Sequence, residues 1–150
     1  MKRLDDWFGD YGQSHRHPTN NVAIHKVAVP GIYLCGLALL WCLPRGPLPF
    51  GLNWAILAAI PVLLFYLRLS RPLFWGMAGF TALGLVACAL WQGPLLLPAL
   101  VAFVLLWIAQ FVGHRIEGKR PSFLADLQFL LIGPAWVLAS LYSRLGLSYR

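Results

Sequence analysis

A chain of 150 residues has the length of one domain, yet 59% of it is apolar and only 11% is charged. That balance is too oily for a soluble domain of this size and puts the membrane class first. A net charge of +7 would suit nucleic acid, but the basic residues sit at the ends of apolar stretches rather than in a separate basic domain. They read as topology signals and partners for lipid headgroups, and no nucleic-acid partner is expected.

Leu4, Trp7, Phe8 and Tyr11 fall at i, i+3, i+4 and i+7, the stripe of a short helix lying in the membrane interface. Met1 to Asp10 holds Asp5, Asp6 and Asp10 and no apolar run, which does not read as a cleavable signal peptide. The polar stretch Gln13 to Asn21 carries His15 and His17, and its Pro and Asn cluster reads as a turn followed by a helix start near Thr19 or Asn20. His25 comes just after it.

The first span is expected from about Val27 to Leu43, with Pro30 near its start, where a missing backbone donor is tolerated best. Pro44, Gly46, Pro47 and Pro49 then turn the chain. A second span covers about Leu52 to Leu67, a third about Leu73 to Trp91, and a fourth about Leu95 to Val112. After the polar run His114 to Pro121, a fifth covers about Phe123 to Tyr142. Each meets or approaches the roughly 20 apolar residues that a membrane-spanning helix needs. Cys35, Cys42 and Cys88 lie inside apolar stretches without CxxC spacing and read as small hydrophobes.

The expected fold is an all-α integral membrane helical bundle, one domain over 1–150. Residues 1–26 form an interfacial, histidine-bearing segment, 27–143 the bundle of about five transmembrane helices, and 144–150 a tail. Five alternating spans place Lys2, Arg3, Arg16, Lys26, Arg68, Arg71, Arg115, Lys119 and Arg120 on the N-terminal side, against Arg45, Arg144 and Arg150 on the other. The positive-inside rule then puts the N-terminus in the cytoplasm. Short spans and proline-rich turns favour a bacterial inner membrane over the endoplasmic reticulum.

The same sorting brings the His15 to His25 stretch and the His114 loop to one face, although they lie far apart in sequence. All four histidines of the chain therefore gather at one membrane boundary. Imidazole is the commonest ligand for zinc and iron, and polar groups near a membrane interior are costly without a role. Ordinary interfacial histidines, bonded to headgroups or backbone, remain the alternative, because no HExxH-type motif fixes a ligand geometry.

Spacing adds supporting residues. Asn21 and His25 stand at i, i+4, so the amide could orient the imidazole or simply start the helix. Gln110 and His114 have the same spacing. A glutamine in an apolar helix needs a partner, either His114 or a group on another helix. Arg115, Lys119 and Arg120 suit a fatty carboxylate or a phosphate headgroup, or mark topology alone. Glu117 could balance them or serve a metal, and Asp126 favours a helix N-terminus while lying near the other polar groups.

The segments His15 to His25 followed by Val29-Pro30, and Gln110 to Pro121, resemble the small membrane family of metal-dependent 2-hydroxy fatty acid dioxygenases. That family was formerly a domain of unknown function, with a yeast endoplasmic reticulum enzyme as its best known member. The likeness covers nearly the whole chain, including the Asp126 region and Ile132-Gly133-Pro134. Its most specific part is the QFxGH-then-KRP segment, whereas His17 stands where the likeness leads one to expect Asn.

The resemblance implies an Fe(II) enzyme of fatty acid α-oxidation, which uses O2 to shorten a 2-hydroxy fatty acid by one carbon. Under it His15, His25 and His114 are the core metal ligands, His17 is a candidate fourth, and Glu117 joins the reacting groups. Asn21, Gln110 and Asp126 support them. Arg115, Lys119 and Arg120 meet the carboxylate, and the acyl tail lies among the spans beside membrane lipids. Two other classes stay open: a non-enzymatic lipid-binding or assembly protein, and a zinc-dependent lipid hydrolase.

Overall fold

The computed structural model describes residues 3–8, 21–116 and 123–148, without the side chains of residues 21, 22 and 123–129. All regular structure among them is helical. One helical turn covers residues 4–8. Five long helices follow: α1 (Asn21–Trp41), α2 (Trp54–Leu69), α3 (Arg71–Leu90), α4 (Leu96–Ile116) and α5 (Phe123–Arg144). α1 starts six residues before the expected apolar boundary, which carries His25 and Lys26 into its second turn.

Local chemistry sets the turns. Between α1 and α2, Gly46 and Gly51 take φ of 55° and 68°, a left-handed conformation that glycine adopts without steric cost. Asn53 ties this turn down twice, donating from Nδ2 to the Trp41 carbonyl at 3.0 Å and accepting the Ala55 N–H at 2.9 Å as the cap of α2. Ser70 both ends α2, through its N–H to the Tyr66 carbonyl, and caps α3 by accepting the Leu73 N–H. One residue therefore reverses the chain.

α1 is the central helix and packs on all four others, whereas α4 makes its extensive contacts with α1 alone. Tyr33, Leu37, Ala55, Tyr66, Met77 and Ala135 form the core. Its hydroxyls are satisfied internally: Tyr33 Oη lies 2.7 Å from Thr81 Oγ1, and Tyr66 Oη donates to the Leu131 carbonyl. A bilayer offers no water to take over that duty. The outer faces are apolar, with Leu83, Leu90, Leu97, Leu105 and Ile108 exposed. Three helices are long and apolar enough to cross a membrane, Ala23–Trp41, Arg71–Leu90 and Leu96–Ile116, while Trp54–Leu69 is apolar but shorter.

α5 departs from the expected five alternating spans. Thr81 stands opposite Tyr33, and a Cβ on Gly84 would meet Leu34, so α3 runs parallel to α1 and begins at the end where α1 begins. The last turns of α5 lie at that same end. Tyr142 Oη donates to the Pro72 carbonyl at 3.1 Å, and Leu4, Leu73 and Ala139 form one buried cluster. Arg144 is thus on the N-terminal side and not opposite it. Among the described cations, Arg3, Lys26, Arg68, Arg71, Arg115 and Arg144 share one end of the bundle, and Arg45 stands alone at the other. Length and apolarity mislead here because a helix buried against its neighbours needs the same composition as one that crosses.

Gly76 makes the α3–α5 approach close, since a Cβ there would overlap Leu138 and the Tyr142 hydroxyl, whereas Gly79 faces open space. Gly76→Ala is expected to destabilise the protein by about 1–3 kcal/mol through overpacking. Gly79→Ala, on the same helix, should not. Thermal unfolding of the two variants in detergent checks the contrast.

Candidate functional site

α4 is apolar through most of its length, so burying the Gln110 amide requires a partner. Packing supplies one from another helix. α1 and α4 lie antiparallel, with Gly31 against Leu106 and Ile24 and His25 against Gly113. The Gln110 Oε1 atom meets His25 Nδ1 at 2.8 Å across this seam. Of the two partners that spacing leaves open, the structure selects the cross-helix one. An amide oxygen can only accept, so Nδ1 carries a hydrogen, and in the neutral form of the ring Nε2 holds the lone pair.

His114 completes the group. Its ring centroid lies 5.0 Å from that of His25, with the planes tilted by 46°. His25, Gln110 and His114 are all buried, and so are both Nε2 atoms. Two imidazoles on one ion, each about 2.0–2.1 Å from it through nitrogen and subtending about 90–110°, hold their ring centres about 4.6–5.3 Å apart. The observed spacing falls inside that window. Gly113 leaves a little room beside this ring, since a Cβ built on it would already touch His25, 3.4 Å from Nε2. The spacing of the two rings therefore fits a shared metal ion.

Among the described residues no third histidine, cysteine, aspartate or glutamate joins the pair. His15, His17, Glu117, Lys119 and Arg120 lie outside the described residues. Asn21 and Asp126 occupy the first turns of α1 and α5, and their side chains are likewise not described. Arg115 follows His114 in sequence but is exposed at the end of α4. The structure thus brings together His25, Gln110 and His114 and leaves Arg115 outside the buried group.

Two contributors are invisible in the sequence pattern. Gly113 matters through the space it leaves, for which the resembling segment gives no role beyond its presence. Lys26, read only as a topology cation, places Nζ 5.8 Å from the centre of the Trp136 ring. It therefore bridges α1 and α5 one residue away from His25. Together with Arg3, Arg68, Arg71 and Arg144 it gives this end of the bundle a positive field that favours anionic headgroups and carboxylates.

Compared with family models, residues 1–145 match Mpo1-like, described as 2-hydroxy-palmitic acid dioxygenase Mpo1-like. No curated protein and no solved structure matches the chain.

Proposed function

Because the chain belongs to the 2-hydroxy-palmitic acid dioxygenase Mpo1-like family, we propose that it is an Fe(II)-dependent dioxygenase that uses O2 to convert a 2-hydroxy fatty acid into a product one carbon shorter. The observation that carries this reading is the buried His25–His114 pair, at a spacing suited to one shared ion and oriented by Gln110.

Iron held there would supply Lewis acidity toward a chelating 2-hydroxy carboxylate and redox capacity toward oxygen. His25 and His114 hold it, His15 adds a third ligand, and His17 is a candidate fourth. Gln110 fixes the tautomer and plane of His25, so that Nε2 is the coordinating nitrogen. Glu117 serves the reacting groups, with Asn21 and Asp126 in support. Burial of the pair keeps bulk water away from the reacting atoms. Arg115, Lys119 and Arg120 add positive charge that draws the substrate carboxylate to this end of the bundle, and the tail stays in the apolar bundle or the surrounding lipid. In this reading α1 to α4 cross the membrane, α5 returns to the basic end, and that end faces the cytoplasm, in a bacterial inner membrane.

The test is incubation of the purified protein with a 2-hydroxy fatty acid, with and without Fe(II) and O2, followed by lipid mass spectrometry. A shortened acid that requires both is the expected result. Product formation that survives chelation and anaerobiosis would overturn the reading, and a zinc-dependent hydrolytic product would replace it.

Gln110 yields a sharper expectation. Gln110→Leu removes the acceptor that lies 2.8 Å from His25 Nδ1, and Fe(II) affinity should fall by about 10- to 100-fold, as for loss of a partner behind a metal ligand. Gln110→Glu keeps an acceptor and should retain most of it. Anaerobic metal titration of the two variants, with circular dichroism as the control for folding, checks the difference.

A further inference from the structure

A carboxylate substrate needs a cation at the end of the bundle that carries the histidine pair, and Lys26 lies on the second turn of α1 at that end. It follows His25 directly on α1, but its side chain turns toward α5 while His25 faces α4. α4 and α5 each pack on α1, and among the described residues they do not pack extensively on one another. The N-terminal turns of α1 are therefore the floor between them, with the imidazole on one side and the ammonium on the other. The Lys26 partner is a neutral indole. A cation–π contact positions an ammonium without cancelling its charge, which remains available to an anion.

The space below Lys26 has the complementary character. Pro30 lies one helical turn deeper on the same face of α1, at i+4. It lines an apolar pocket of about 210 Å3 with Met77, Phe80, Pro134, Val137 and Leu141. Pro30 stands one helical turn from Lys26 and Val137 is next to Trp136 in sequence, so the same two helices that make the Lys26–Trp136 contact also wall the pocket. It is smaller than the roughly 300–1,000 Å3 of a site that encloses a whole small ligand. It takes the first part of a long chain, and the remainder lies in the bilayer.

We infer that Lys26, held over Trp136, is the carboxylate anchor of the fatty acid site, and that the Pro30–Pro134 pocket receives the head-proximal part of the acyl chain. The inference rests on the reading of a 2-hydroxy fatty acid as substrate, but it assigns the anchor to α1 rather than to the His114–Pro121 loop. Arg115 is exposed at the end of α4, whereas Lys26 is half-buried and held over Trp136.

The test uses the full chain in lipid nanodiscs with EDTA, and titrates hexadecanoic acid and its methyl ester, which lack the hydroxyl needed for chelation. Wild type should prefer the acid. Lys26→Gln should weaken binding of the acid by about tenfold or more, the loss expected for one charge-assisted hydrogen bond, and leave the ester unchanged. Lys26→Arg should restore the preference. Val137→Trp, which fills the pocket, should weaken acid and ester alike. An acid preference that survives Lys26→Gln, or that is lost instead in Arg115→Gln, overturns the assignment. So does unchanged ester binding in Val137→Trp. The titration is independent of turnover, so failure of the dioxygenase reading, seen as absent oxygen-dependent product, is recorded separately.

Discussion

His114→Ala is expected to abolish iron retention and oxygen-dependent product formation while the helical bundle stays assembled. The imidazole sits at the buried end of α4, with its ring 5.0 Å from that of His25. Removing it takes away one of the two imidazoles that the seam brings together, and the helix bearing it keeps its packing on α1 at Gly113 and Leu106. The folding penalty is that of a modest cavity beside a polar group, about 1–3 kcal/mol. The functional loss should be complete to background. Iron per chain by elemental analysis and shortened product by mass spectrometry are the two readouts. A variant that holds wild-type iron and still makes product would remove the histidine pair from the mechanism.

The second large effect concerns sidedness. In a background with Cys35, Cys42 and Cys88 replaced by alanine, Arg144→Cys is expected to react with a membrane-impermeant maleimide from the same side as Arg71→Cys. Arg45→Cys should react only from the other. The outcome is all or none, because the Tyr142–Pro72 hydrogen bond and the Leu4–Leu73–Ala139 cluster put the end of α5 beside the α2–α3 turn. Labelling of residue 144 together with residue 45 would restore five alternating spans.

Much of the bundle is legible in the sequence. Because turn chemistry is local, apolar runs broken by Pro, Gly, Asn and Ser mark all five helices, although α1 begins six residues ahead of its apolar run. Parity then placed His25 and His114 at one end, and their pairing needed only that α1 and α4 be neighbours. The end of α5 was not legible, because buried and spanning helices share one composition. Gln110 shows a different limit. Spacing offered His114 one turn away, yet the amide bonds to His25, 85 positions distant, and only the packing of Gly113 and Leu106 on α1 decides that. Lys26 likewise reads as one more boundary cation until Trp136 is found beneath it. His15, His17, Glu117, Lys119 and Arg120 stay as the sequence presents them.

The attachment of α4 to a single neighbour has a practical side. The two rings lie in the most extensive helix pair among the described residues, and α4 packs extensively on no other helix, while α1, α2, α3 and α5 hold one another from several directions. A solvent that competes for apolar surface, such as a short-chain detergent, acts on the position of α4 through that one seam. Opening that seam would part the two rings while the circular dichroism still looked intact. Purification in mild detergent or native lipid is therefore the condition under which metal binding is to be tested.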